Sequence, residues 1–512
     1  MRTISKSHPT ETVVAGVTES VLLSNRQVHA LFWLAAVLVV INWFNVHESY
    51  AIETQLGYGL TAFGALLPLL LWSRGMVPGI PVFPAFVFFQ FMAFGMPLLS
   101  QHPGITVHSP QDHLDAGAIV AAALLSGTAG WLLAGNRLRP KVASCRQLNE
   151  TGGERILIAS IFLDALLDAN NIYDWIDIPS GIFSILRGIL GGVSTLALFV
   201  ISKHWGSGEL KNNLKWVFLF AVILNFFIQV TTLLLISAIS VACIAIGGFT
   251  LGSRRPPWLA IGLFIALIAF LHQGKAPVRA NYWGPNRESL ITSVDETFEM
   301  YRFWFDSSVE AMQEGGGSDE QEEKVSAFQR ASLMHLFLYE KSMINNGLDL
   351  MLGSTYVIIP ELLIPRFIHP DKPWSLEGTS RLNIHFGIQT REETMVTTIG
   401  WGLFNEGFAN FGFWGVVVLG FLAGAAAGAI TYYSQGYPFL SLRSLTTILV
   451  VSSSFQTEHT MAVLVTSLFQ SYVGLLAFGL VFMKDLPTRE WILFVTARAK
   501  KTGEAKKRNL AV

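Results

Sequence analysis

The sequence is poor in charge. Asp, Glu, Lys and Arg supply 14% of its 512 residues, against 51% apolar residues and a mean hydropathy of +0.46. A soluble domain carries about 25% charged residues, so the deficit excludes an ordinary water-soluble fold. Cysteine is nearly absent: Cys145 stands in a basic stretch and Cys243 in an apolar run, which predicts neither a disulfide nor a thiolate metal site. A net charge of −1 gives no global field to recruit nucleic acid. The chain has no GxxxxGKS/T loop, no HExxH and no cluster at metal-ligand spacing, which argues against a phosphate-loop ATPase or a zinc protease. No internal repeat is visible, which argues against transporters built from inverted repeats. The first 28 residues are polar and weakly basic and lack the pattern of a removable signal.

What the sequence does hold is a series of apolar runs long enough to cross a bilayer. They are read as twelve spans near 29–46, 55–72, 80–99, 115–135, 155–171, 182–202, 216–232, 233–251, 257–271, 411–433, 440–455 and 461–483. The stretch 216–251 is too long for one span and fits two joined by a tight turn near Val230–Leu234. Basic residues choose between these readings. Arg2, Lys6, Arg26, Arg74, Arg137, Arg139, Lys141, Arg146, Arg155, Lys203, Lys211, Lys215, Arg254, Arg255 and Arg443 fall in alternate connections, and the tail from Lys484 is basic. The intervening connections 47–54, 100–114, 172–181 and 456–460 hold no Lys or Arg. That is the positive-inside pattern with both termini cytoplasmic, and it requires 216–251 to cross twice.

The expected fold is therefore an all-α polytopic membrane helix bundle. A cytoplasmic tail (1–28) precedes nine spans within 29–271, a large non-cytoplasmic loop (272–400), three spans within 401–483, and a basic cytoplasmic tail (484–512). Within the loop, the acidic, Gly-rich run Glu314–Glu323 reads as a connector and Arg330–Asn345 has helical periodicity. Prolines 360, 365, 370 and 373 make the following part irregular.

Ionisable groups inside spans cost about 2.5–3.5 kcal/mol on insertion scales, so each carries two readings. Arg187, near the outer end of the sixth span, either snorkels to headgroups or forms an anion site; the cost favours the anion site. Asp164 and Asp168 share one face of the fifth span, with Asp164 placed to pair with Arg187 either structurally or functionally. Lys275 and Arg279 follow the ninth span beside aromatics, where they are either loop charges or phosphate contacts. Arg366 and Lys372 lie in Leu362-Leu-Ile-Pro365-Arg366-Phe-Ile-His369-Pro370-Asp371-Lys372-Pro373. Glu406 and Asn410 begin Glu406-Gly-Phe-Ala-Asn410-Phe-Gly412-Phe-Trp-Gly415 at the mouth of the tenth span, where Glu406 is either a base on a sugar hydroxyl or, with Asn410, an anchor for that helix. Gly420, Gly424 and Gly428 form a small-residue stripe suited to close helix packing. Glu458 and His459, in the last outer connection, read as an exposed turn or as additions to the site.

The segment Ile-Pro-Arg366-Phe-Ile-His-Pro-Asp-Lys372-Pro followed by Glu406-x-x-x-Asn410-Phe-Gly-x-x-Gly resembles Wzy-type oligosaccharide repeat-unit polymerases. Lys275-x-x-x-Arg279 and Arg330, ahead of a helix in the large loop, fit the same pattern. The likeness covers the second half; the first half matches in topology alone, and His369 stands where the family more often has Trp. The resemblance implies a glycosyltransferase of the bacterial inner membrane. It would join undecaprenyl-diphosphate-linked glycans at the periplasmic face, with no cofactor and no metal, and would have membrane lipids and a chain-length regulator as partners. It also implies a GT-C-like bundle. Catalysis would fall to Glu406 and Arg279, diphosphate binding to Arg187, Lys275, Arg279, Arg330 and Arg366, and support to Asp164, Lys372 and Asn410. Two alternatives are an O-antigen ligase-like transferase and a non-catalytic polysaccharide transporter or flippase.

Overall fold

The computed structural model describes residues 25–136, 144–148, 153–233, 235–282, 291, 293–313, 332–366 and 368–487. Each of the twelve apolar stretches is helical. These are α1 (Asn25–Val46), α2 (Ile52–Ser73), α3 (Val82–Leu99, changing to π and 3-10 turns after Gln90), α4 (Pro110–Gly135), α5 (Gly153–Tyr173), α6 (Ser180–Gly206), α7 (Asn212–Thr231), α8 (Leu235–Ser253), α9 (Trp258–Gln273), α15 (Gly402–Ser434), α16 (Leu442–Ser453) and α17 (Met461–Phe482). Between α9 and α15 lie α10 (Lys275–Tyr282), α11 (Val294–Gln313), α12 (Met334–Asn345), α13 (Glu377–His385) and α14 (Arg391–Val396). Among the described residues, eight helices are long and apolar enough to cross a membrane, or nine if the pair α9–α10, bent by 56°, is one span. The chain is a polytopic helical membrane protein.

The densest contact in the bundle is made by glycines. α4 and α15 run parallel, with Gly420, Gly424 and Gly428 against Ala123, Gly127 and Trp131. A Cβ on Gly424 would fall 1.8 Å from the Gly127 carbonyl oxygen, and one on Gly130 would fall 2.3 Å from that of Phe421. Backbones meet this closely only where side chains are missing, because lipid-facing helices associate through packing rather than by escaping water. The stripe has the packing role its spacing predicts.

The connections sort to two ends of the bundle. At one end β1 (Ser144–Leu148) pairs antiparallel with β2 (Met483–Pro487), the Leu148 amide donates to the Leu440 carbonyl, and Arg146 donates to the Gly479 and Leu480 carbonyls at the close of α17. The tail expected from residue 484 thus begins as a strand; its remainder and the run Glu314–Glu323 lie outside the described residues. At the opposite end the large loop meets the short connections. Lys341 Nζ lies 2.8 Å from Asp112 Oδ1 and 3.3 Å from Asp115 Oδ2, and the Gly402 amide donates to the Glu458 carbonyl. The stretch 216–251 is two helices, turned back at Thr232–Leu235 through Leu233 with φ 61°.

The tenth span differs most from its expected form. Its helix starts at Gly402, nine residues before the expected 411, and breaks at Phe411 and Gly412 (φ 61°, ψ −147°). Gly407 and Gly415 would stand about 12 Å apart along a straight helix. A Cβ on Gly415 would instead lie 2.1 Å from the Gly407 carbonyl oxygen, so the first two turns fold back on the span. Glu406 and Asn410 belong to this returned segment.

Candidate functional site

The proline-rich segment after α12 makes mostly turns and one helical turn at Ile359–Leu362. Proline removes backbone donors, so side chains supplement the backbone turns that remain, such as the His369 amide to the Pro365 carbonyl. Lys372 Nζ donates to the carbonyls of Leu362 (2.8 Å) and Ile364 (2.7 Å), and Arg366 Nη1 donates to Pro370 O at 3.2 Å. Burial and the neighbouring Arg366 lower the Lys372 pKa.

This loop roofs a cavity of about 270 Å³ whose other walls are Ile189 of α6 and Thr466, Phe469, Gln470 and Val473 of α17. Arg366 and Lys372 line it together with Trp374. Val473 lies twelve residues into α17, about 18 Å from its start, so the cavity extends from the cationic loop deep along an apolar helix. Phe469 and Val473 are each 42% exposed, which opens that wall toward lipid. A cationic rim joined to an apolar lane suits an amphiphile with an anionic head.

The other expected site residues lie elsewhere. Arg187 faces α5, where its Nε is 3.9 Å from Asp168 Oδ1; its side chain is 64% exposed. The expected partner was Asp164, but Asp168 stands one turn nearer the large-loop end and takes that position. Arg279 donates from Nε and Nη2 to the Leu233 carbonyl at 3.3 and 3.0 Å, holding the tight α7–α8 turn. Lys275 opens α10, just past Gly274, where the chain packs on Trp304 and Ser308 of α11. Arg330 lies outside the described residues. Thus, among the described residues, only Arg366 and Lys372 of the expected cations line this cavity.

Glu406 is fully buried and absent from the cavity lining. Its Oε2 accepts the Met461 backbone N–H at 2.6 Å, at the first turn of α17. Its Oε1 has no hydrogen-bond partner among the described residues. Asn410 donates from Nδ2 to the Glu406 carbonyl (2.8 Å) and Thr355 Oγ1 (2.9 Å), and its Oδ1 accepts the Gly353 amide (2.8 Å). The pair are anchors, but they hold α17 and the segment 351–355 rather than only their own helix.

Two groups escaped the sequence reading. His369 Nε2 meets Glu361 Oε1 at 2.7 Å on the cavity's own loop, a contact between residues eight apart that no periodicity announces. Glu340 is buried, with neither oxygen partnered among the described residues, and burial pushes its pKa well up. It lies in the Arg330–Asn345 stretch, whose helical periodicity was legible while its buried face was not. His459, expected in an exposed turn, is half-buried, and its pKa is lowered to about 4 by burial.

No family model matches the chain, and neither the curated proteins nor the solved structures contain a match to it.

Proposed function

We propose that this chain polymerises lipid-diphosphate-linked oligosaccharide repeat units at the non-cytoplasmic face of a bacterial inner membrane. The observation that carries the reading is the cavity where Arg366 and Lys372 stand over an apolar, laterally open wall of α6 and α17. An isoprenoid diphosphate has this shape: a dianionic head on a long apolar tail. In this reading the twelve helices are all spans, in a GT-C-like arrangement. The Lys and Arg distribution puts both termini and the β1–β2 end in the cytoplasm.

In the reaction an acceptor sugar hydroxyl attacks the anomeric carbon of the donor glycan. The new C–O bond forms as the bond to the diphosphate oxygen breaks, and the lipid diphosphate leaves with that electron pair. Negative charge grows on the leaving oxygen, where fixed cations lower the barrier without reorganising. Arg366 supplies a planar fork and Lys372 a point charge. Arg187, loosely tied at 3.9 Å and largely exposed, reaches headgroups at the same end. The hydroxyl proton goes by way of water at the rim to His369, which sits on the cavity's loop but outside its lining; Glu361 orients its Nε2 and leaves Nδ1 as acceptor. Glu406 and Arg279 act in this scheme as positioning residues, through α17 and the α7–α8 turn.

The test is purified protein in nanodiscs with lipid-diphosphate-linked repeat units. Products longer than one repeat, lost in Arg366→Ala, support the polymerase; unchanged substrate length removes the enzymatic reading. Transfer of intact glycan to a second lipid without elongation would indicate a ligase instead.

A further inference from the structure

Helix α11 of the large loop has three unlike sides. At about 100° per residue, Thr297, Met300, Trp304 and Ser308 fall on one side, and all four are buried. Val294, Phe298, Phe305 and Met312 fall within about 40° of arc on a second. Their exposures are 46%, 68%, 57% and 63%. Asp295, Glu299, Asp306 and Glu310 share the third side and are exposed as well. Phe303, at the edge of the acidic side, meets the Tyr282 ring of α10 at 6.1 Å.

The helix touches three spans in turn, at the same end of each. Thr297 Oγ1 shares a hydrogen bond of 2.7 Å with the hydroxyl of Tyr173, the last residue of α5. The Tyr301 hydroxyl donates to the Phe227 carbonyl at 2.6 Å and lies 2.9 Å from Thr231 Oγ1, in the last turn of α7. Trp304 Nε1 donates to the Leu271 carbonyl near the end of α9 at 2.7 Å, and a Cβ on Gly274 would fall 2.5 Å from Ser308 Oγ. A helix that meets the final turns of α5, α7 and α9 one after another lies along the row of span ends, in the membrane plane and not across it. Its 20 residues extend about 30 Å there.

We propose that α11 is seated in the leaflet at the large-loop end, with Val294, Phe298, Phe305 and Met312 among lipid acyl chains and the acidic side in water. The apolar stripe stands at the level of the span ends. It is continuous with the surface that lipid covers: the Phe305 ring meets Phe270 of α9 at 5.2 Å, and α9 goes on into exposed Leu263 and Leu259. Carboxylates need water, and their place on a separate side lets one helix satisfy both media. Interfacial helices commonly carry Lys and Arg on the polar side and draw on anionic lipid. The polar side of α11 is acidic, so its seating rests on apolar area and is indifferent to anionic lipid. Seated this way, α11 sets the height of the large loop over the bilayer. The proposal is independent of the glycan-transfer reading.

The experiment uses the full chain in nanodiscs, with Cys145→Ser and Cys243→Ser as background and nitroxide labels on single cysteines. Phe298→Cys, Phe305→Cys and Met312→Cys report the stripe; Glu299→Cys, Asp306→Cys and Glu310→Cys report the acidic side. All six positions are exposed, so the labels displace no core side chain. The stripe labels are expected to collide with lipid-dissolved oxygen and escape a water-soluble nickel chelate, with an oxygen-to-nickel ratio severalfold above that of the acidic side. The contrast persists with and without anionic lipid. Equal nickel access on both sides places the stripe in water and overturns the proposal. Protection of the stripe from both reagents places a protein partner over it, which also overturns it. The wild-type chain supplies a check without substitutions: an acyl chain carrying an aryl diazirine should mark Phe298 and Phe305. Adducts on α9 with none on 294–313 overturn the proposal as well.

Discussion

The Glu406 carboxylate accepts the Met461 backbone N–H at 2.6 Å, tying the returned first turns of α15 to the start of α17. The first backbone donors of a helix have no partner within it, and a buried carboxylate satisfies one while meeting the positive end of the helix. Glu406→Ala strips that partner and is expected to cost about 1–3 kcal/mol. Glu406→Gln keeps an acceptor oxygen and should lose less. Thermal melting in detergent checks this; an alanine variant as stable as the wild type would refute the anchoring role.

Arg366 separates binding from folding. Its one hydrogen bond among the described residues runs to a local carbonyl, so Arg366→Ala should move stability by no more than about 0.5 kcal/mol. Loss of a charge-assisted contact to diphosphate should weaken lipid-diphosphate binding by about 10- to 100-fold. Lys372→Ala should do both kinds of damage, because Lys372 also holds the Leu362 and Ile364 carbonyls. Titration with a short isoprenyl diphosphate alongside melting curves distinguishes the two. Equal affinity in Arg366→Ala and wild type would disconnect the cavity from the substrate.

Arg279 is expected to behave as a clamp. Arg279→Ala frees the Leu233 carbonyl at a strained turn and should destabilise by about 1–2 kcal/mol. Faster amide exchange around 230–236 is the diagnostic readout. Normal exchange there, with activity lost, would return Arg279 to the reacting centre.

Gly424→Ala should be far more damaging than its size suggests. The added Cβ meets the Gly127 carbonyl oxygen at 1.8 Å, so α4 and α15 must separate, at a cost of about 1–3 kcal/mol or more. Gly262→Ala on α9 meets nothing within 4 Å and serves as the control. Similar melting temperatures for the two variants would contradict the interlocked stripes.

Acid should loosen the large-loop end. Burial lowers the pKa values of His335 and His459 from 6.5 to about 4, and the Nδ1 of each lacks a hydrogen-bond partner among the described residues. The folded chain then binds fewer protons than the unfolded chain between these values. Stability is therefore full above pH 6.5 and declines as pH falls toward about 4. Replacing both with Gln should flatten the melting-temperature profile across that window; an unchanged slope would assign acid sensitivity to other groups.

Much of the architecture was legible because hydrocarbon imposes a length and a charge rule that operate on the chain residue by residue. The twelve apolar stretches, the division of 216–251 into two helices and the packing stripe at Gly420, Gly424 and Gly428 follow from run length, basic-residue parity and spacing. The kink at Gly412 did not: an apolar count registers where a span becomes hydrophobic, and Glu406 and Asn410 concealed two helical turns that precede it. The cations were equally hard to sort. Arg279 and Arg366 look alike in sequence, yet one faces a carbonyl at a turn and the other a cavity.

The sequence by itself determined that this protein lives in a membrane as a bundle of helices, because burying a backbone in lipid demands helices and leaves a hydropathy record. Only the tertiary structure decided what the charged side chains meet. Arg366 and Lys372 meet α6 and α17 at one cavity, Arg187 meets Asp168 rather than Asp164, and the Glu406 carboxylate meets the Met461 backbone N–H. Those pairings depend on how helices distant in the chain rotate and bend against one another, and no local pattern encodes a rotation.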